Sequence, residues 1–231
     1  LSLHLIDGET ADYYQAIIDG LRSLGLRSDE ESGREVKWRW VGRYREVRLQ
    51  VELLCPTRSR AGRPESPATD TAAELNIGPS DEIAALAVGF GHLVLDDTIS
   101  VSRRVDTASG GLTYEFPVAG LTSWLCLKSD ALMRRDRAKD AYDVVWVLDA
   151  LGPDIASATV AASPLLGGPF ANEVRAQLML LINDQFRDDA SVGPTGYAAF
   201  LEAQMADAAR RHALGTVTAF GRELAAQGIA R

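Results

Sequence analysis

Residues 128–145 read KSDALMRRDRAKDAYDVV, from Lys128 to Val145, and they stand where the chain changes character. Just upstream, LTYEFPV from Leu112 to Val118 is strand-like. Thr122 is placed to cap a helix carrying Trp124, Leu125, Leu127, Lys128, Leu132 and Met133. A second helix is expected from about Ala138 to Leu151, with Tyr142, Val145, Trp146 and Leu148 along it and Gly152-Pro153 to end it. Beyond it, Asp154 to Arg231 is Ala-rich, keeps a helical period and gives no strand signal, which predicts a cap of three or four helices.

Toward the N-terminus the period shortens from helical to alternating. Leu1 to Ile6 alternates as a half-buried strand and turns at Asp7-Gly8. Tyr14, Ile17, Ile18, Leu21 and Leu24 then follow an amphipathic helical spacing that Gly25 stops. Val36, Trp38 and Trp40 alternate with Lys37 and Arg39. After Gly42, Val47, Leu49, Val51 and Leu53 alternate with Arg48, Gln50 and Glu52, so a β-hairpin ending at Cys55-Pro56 is predicted. Thr57 to Pro79 reads as a polar loop whose Arg58, Arg60 and Arg63 form a small basic patch. Leu93 to Val105 and Leu112 to Val118 are expected as strands around the turn-rich Asp106 to Gly111. The pattern gives an α/β (α+β) fold: a mixed β-sheet domain over 1–151 and a helical domain over 152–231.

Composition narrows the function classes. The 231 residues are 46% hydrophobic and 24% charged, as in ordinary globular proteins and unlike collagens, coiled coils or disordered chains. Cys55 and Cys126 lack metal-ligand spacing and suit a reducing compartment, and no apolar run reaches the roughly 20 residues a membrane span needs. A cytoplasmic protein without a membrane segment is expected. A formal net charge of −8 argues against a broad electrostatic grip on nucleic acid.

Within KSDALMRRDRAKDAYDVV, Asp140 and Asp143 share a helix face, and Lys139 and Asp143 stand at i, i+4. On spacing alone, a solvated face with a salt pair accounts for this pattern. Lysine is otherwise scarce: Lys37, Lys128 and Lys139 are the three among 24 basic residues. An ammonium is a compact point charge where a guanidinium is a planar fork, so the retained lysines differ chemically from the arginines around them.

The succession of a strand, a helix bearing Lys128, a run of arginines, and Lys139-Asp140-Ala141-Tyr142-Asp143 followed by apolar residues resembles the nucleotidyltransferase AbiEii/AbiGii toxin family. The upstream order agrees, with a helix ending at Leu24-Gly25 and a later strand bringing Glu52 in RLQVELL. The likeness spans roughly Leu1 to Leu151. It implies a nucleotidyltransferase-like sheet domain that moves a nucleoside monophosphate from an NTP to an acceptor such as tRNA or another RNA, with Mg²⁺. It also implies the toxin of a toxin–antitoxin or phage-defence system, with a cognate antitoxin as partner. In such chemistry, carboxylates on adjacent strands hold Mg²⁺ and a lysine offsets triphosphate charge. The resemblance assigns Glu52 to the metal and to catalysis, Lys128 to the phosphates, and Asp143 to orienting Lys128 or the acceptor. Arg135, Lys139 and Asp140 would flank the nucleotide.

The sequence also departs from the family. The family's Gly-Ser pair and first acid would fall before Leu1, and Ser2 and His4 stand where a further acid is expected. Ser2 favours an alternative: a catalytically degenerate relative retained as a nucleotide- or protein-binding module. Gly89-Phe90-Gly91 and Gly167-Gly168 lack the context of a phosphate loop, and His92 and His212 lack a nucleophile elbow. Trp38, Trp40, Trp124 and Trp146 fall at core periodicities.

Overall fold

Alternating apolar residues at 36–41 and 47–54 can bury one face of a sheet only if a helix covers that face, and the chain supplies this helix first. The structure, a computed structural model, describes residues 2–4, 11–56, 74–76, 82–107, 110–134, 138–202 and 204–229. It is mixed in class, an α+β fold, and divides into two compact units, Leu1–His92 and Leu93–Arg231.

The first unit holds a six-stranded mixed sheet and helix α1, Ala11–Ser23. Its strands are β1 (Ser2–His4), β2 (Arg27–Glu31), β3 (Arg34–Tyr44), β4 (Val47–Pro56), β5 (Glu74–Asn76) and β6 (Ala84–Val88). Strand β4 is the hub: it pairs antiparallel with β3, and parallel with β1 and β6. Trp40, Val51, Leu53 and Cys55 turn inward to meet Tyr14, Ile18 and Leu21 of α1. Helix α1 ends in two capping bonds, Leu26 N–H to the Leu21 carbonyl at 3.0 Å and Gly25 N–H to that of Arg22 at 2.9 Å. Gly25 takes φ +72°, where a residue without Cβ is least strained. This geometry seats Leu26 beside Leu21 in the core and leaves Leu24, expected on the apolar face, exposed. Val47 and Leu49 are exposed too, because the hairpin tip extends past the helix-covered part of the sheet.

A short helix α2, Gly91–Val94, runs across the Leu93 boundary in place of the strand expected from Leu93. Leu93 and Val94 are buried, and extended structure starts only at β7, Thr98–Thr107, which pairs antiparallel with β8, Gly110–Ala119. These two strands form a separate ribbon and do not join the mixed sheet. Ile99↔Val118, Val101↔Phe116, Arg103↔Tyr114 and Val105↔Leu112 share one face of it. Helices follow: α3 (Leu121–Arg134), α4 (Ala138–Leu151), α5 (Pro153–Ala161), α6 (Ala171–Leu180), α7 (Val192–Phe200) and α8 (Ala206–Ala226). A 3₁₀ turn, Pro164–Gly167, precedes α6, and a π-helical turn, Leu181–Gln185, continues it.

A domain boundary is expected after Leu151, and the helices on either side of that residue belong to one compact unit, Leu93–Arg231. Helices α3 and α4 pack against α5, α6, α7 and α8, and bury Leu125, Cys126, Val144, Val145 and Leu148 there. No strand follows Ala119 among the described residues. Nor, among them, is any single helix long and apolar enough to cross a membrane; the bent pair α4–α5, which passes on composition, turns by 98° and buries Val144, Leu148, Ala156 and Val160. Arg58, Arg60, Arg63 and Arg135 lie outside the described residues, as does most of the polar loop from Thr57 to Pro79.

Candidate functional site

Helix α3 presents Lys128 to the first turns of α4. The Lys128 Nζ donates to Asp140 Oδ1 and to Asp143 Oδ2, both at 2.7 Å, and lies 5.8 Å from the centre of the Trp124 ring one turn back on α3. Asp143 is shared, because Lys139 Nζ donates to its Oδ1 at 2.8 Å and its Oδ2 at 2.7 Å. One carboxylate thus gathers two ammonium groups. The Lys128 side chain is 20% exposed and that of Lys139 65%, so the cluster has a buried end and a solvated end. Asp140 also occupies the first turn of its helix, where the aligned peptide dipoles favour an anion.

Burial alone would push the Lys128 amine down, but its hydrogen bonds to Asp140 and Asp143, and the charge of both, outweigh burial and raise it. The amine is therefore a fixed cation. Held in this way, the ammonium is suited to stabilising negative charge.

A buried polar network holds α3 next to this lysine. The Gln185 amide donates to the Ser129 carbonyl at 2.8 Å, and the Gln177 amide to Ser129 Oγ at 3.0 Å. Ser129 Oγ donates in turn to Gln185 Oε1 at 3.1 Å. Gln185 belongs to the π-helical turn, whose wider ring redirects the side chain from its place in a regular helix.

Glu52 sits in the first unit, on the polar face of β4. It is in register with Arg39 of β3 and with Ser2 of β1, and its Oε1 accepts from Gln50 Nε2 at 2.9 Å. Arg39 donates to Asp29 at 2.7 Å and to Glu31 at 3.2 Å. Burial works against the Asp29 carboxylate, but the Glu30 N–H, the Arg39 hydrogen bond and the charges of Arg39 and Arg48 hold it below the usual range. Glu52 is the sequence-assigned metal ligand. Among the described residues, no group of three or more His, Cys, Asp or Glu side chains converges to hold a metal ion.

Of the sequence-assigned residues, the structure brings Lys128, Lys139, Asp140 and Asp143 together in the second unit and places Glu52 in the first. Asp140, expected beside the nucleotide, is a direct partner of Lys128. Trp124 falls at a core periodicity, and its i, i+4 spacing to Lys128 is the signal that marks the ring–ammonium contact. Ser129, Gln177 and Gln185 carried no sequence signal. No protein family matches this chain, and comparisons with curated proteins and with solved structures find no match either.

Proposed function

We propose that this chain is a nucleotidyltransferase-like protein that binds an NTP and passes its nucleoside monophosphate to an acceptor such as tRNA, acting in the cytoplasm as the toxin of a toxin–antitoxin or phage-defence pair. The resemblance of Lys128 to Asp143 suggests the activity. The observation that carries it is the pair of ammonium groups, Lys128 and Lys139, collected around the single carboxylate of Asp143. A triphosphate approaching the solvated end meets Lys139 first and the Lys128 ammonium behind it. Charge held in place before the reaction stabilises charge developing on phosphate oxygens without further reorganisation. The roles argued for these side chains are binding and charge stabilisation, and no step is assigned to Mg²⁺.

A second reading, a non-catalytic nucleotide- or protein-binding relative, is favoured by the same cluster's balance: two lysines face two aspartates, so it is neutral as it stands. The test is transfer of radiolabelled NTP to total RNA in the presence of Mg²⁺. Transfer by the wild type that drops about 10²–10³-fold in Lys128→Ala supports the first reading, that being the usual cost of one preorganised charge contact. NTP binding by calorimetry without transfer decides for the second. Labelling unaffected by Lys128→Ala moves the site to other residues.

A further inference from the structure

The structure assigns Gln185 the part of a positioning residue: brought onto Ser129 by the π-helical turn, it fixes the rotation of α3 and so aims the Lys128 ammonium at the phosphates of a bound nucleotide. The effect on transfer rests on the reading of this chain as a nucleotidyltransferase; the effect on the placement of Lys128 does not.

The π-helical turn decides which side chain faces Ser129. In a regular α-helix, Asp184, seven residues after Gln177, would return to within about 20° of it, and Gln185 would lie about 80° away. The turn takes up one extra residue, marked by the five-residue bond from Phe186 N–H to the Leu181 carbonyl at 3.1 Å. Positions after it lag by one residue's rotation, about 100°, which brings Gln185 round to the Gln177 face. Gln177 and Gln185 are accordingly buried against Ser129, and Asp184 is exposed. A regular turn would instead bring the Asp184 carboxylate to the Ser129 carbonyl, two acceptors with no proton between them.

What this network contributes is direction. Its members sit on elements that also bury Leu125, Leu178 and Leu181, and apolar side chains of similar shape would stabilise such a place about as well. They could not orient it. Gln185 donates to the Ser129 carbonyl and accepts from the Ser129 hydroxyl, a two-point contact that admits one rotation of α3. Lys128 stands about 100° from Ser129 around the same helix, so clamping Ser129 sets the direction in which Lys128 leaves toward α4. Turning α3 by roughly 20° would move a side-chain atom about 5–6 Å from its axis by about 2 Å, which stretches a 2.7 Å bond past hydrogen-bonding range. Asp140 and Asp143 of α4 face the ammonium, with Lys139 on the far side of Asp143, and Asp130 of its own helix is taken by Arg134.

The scarcity of lysine makes the test direct. With lysine only at positions 37, 128 and 139, a full chain grown on ¹³C,¹⁵N-lysine shows three side-chain signals by NMR, each assigned by a Lys→Arg variant. The Lys128 signal is followed through an alkaline titration of the folded chain, with Lys37 as reference. Gln185→Leu keeps the side-chain volume and leaves Ser129 its bond from Gln177. It should leave the urea midpoint unchanged or higher and move the Lys128 titration to lower pH, because burial then outweighs weakened bonds to the carboxylates. Ser129→Ala, which retains the carbonyl bond from Gln185, should move it less, and Asp184→Ala should leave it in place. A Lys128 titration unmoved by Gln185→Leu overturns the assignment, as does one moved equally by Asp184→Ala. If Gln185→Leu fails to fold, an unmoved titration in Ser129→Ala overturns it. Transfer of radiolabelled NTP to RNA reads the remaining step: Gln185→Leu should lower it by up to about 10²-fold, the cost of a misplacement of about 1 Å. Undiminished transfer alongside a displaced Lys128 overturns the catalytic role of Gln185. A wild type that transfers nothing overturns the nucleotidyltransferase reading instead, and the titration still decides whether Gln185 places Lys128.

Discussion

Asp97 Oδ2 accepts a 2.7 Å hydrogen bond from the backbone N–H of Ser123, 26 residues along the chain, and thereby caps α3 from outside the helix. Gly120 holds the N-cap position, since its carbonyl accepts from the Trp124 N–H at 3.0 Å, and it has no side chain with which to cap. The expected cap, Thr122, is buried in the first turn, and its hydroxyl has no partner among the described residues. Asp97 Oδ1 accepts from Ser163 Oγ at 3.1 Å, so one carboxylate ties the base of the ribbon to α3 and to the turn before α6.

Asp97→Ala should therefore destabilise the chain by about 2–4 kcal/mol, combining a lost cap with buried donors left unpaired. Asp97→Asn keeps an acceptor and should cost less. Gly120→Ala should be comparable to Asp97→Ala, because a Cβ there would stand 2.6 Å from Asp97 Cγ, Oδ1 and Oδ2 alike. Urea unfolding of the three variants checks the order, and a Gly120→Ala chain as stable as wild type would overturn it.

Much of this frame is legible in the sequence, and what is not has identifiable reasons. Helix α4 is found over Ala138–Leu151 as its period predicts, because an amphipathic stripe and a Gly-Pro stop agree. The β3–β4 hairpin follows from alternation. Strand β2, RSDEE, carries no apolar residue and is held by pairing with β3 and by Arg39 on Asp29, so periodicity has nothing to detect. Strand β6, AALAV, is an unbroken apolar run buried on both faces, which alternation cannot register. In the site, spacing shows that Asp140 and Asp143 share a face of α4 but not which helix lies opposite. Ser129 meets Gln177 and Gln185 across 48 and 56 residues, a separation no local pattern reports.

The two cysteines fall one to each unit, and both are buried. Burial pushes the Cys126 thiol far up, with the charges of Asp97 and Glu173 adding to it, so the reactive thiolate is suppressed. Neither thiol should react with Ellman's reagent in the native chain on the timescale of minutes, and both should react once unfolded. Labelling Cys126→Ser and Cys55→Ser separately across a urea series then reads each unit's unfolding by itself. Rapid native labelling at Cys126 would contradict its placement in the core of the helical unit.

The Lys128 cluster makes a prediction about alkaline stability whose sign follows from the direction of its shift. The folded-state amine is raised above its unfolded value of about 10.4, so the ammonium's contribution is fully present below that pH and disappears as pH rises through the folded value. Tyr197 is raised as well, by burial and by the charges of Asp149 and Tyr142, and its loss falls in an overlapping window. Alkaline destabilisation of the wild type alone would therefore not isolate Lys128. The difference between wild type and Lys128→Met at each pH does. At pH 8, Lys128→Met should be less stable by about 2–4 kcal/mol, because it leaves two largely buried carboxylates short of their cation, with Lys139 still serving Asp143. Above pH 10.4 the gap should narrow by up to about 1.4 kcal/mol per pH unit, the limit for one proton. Asp140→Asn should shift the narrowing to lower pH, since it removes one of the two carboxylates that raise the amine. A gap that stays constant from pH 8 to 11.5 would mean that the ammonium's partners do not hold its proton, and would remove the physical basis for treating Lys128 as a fixed cation.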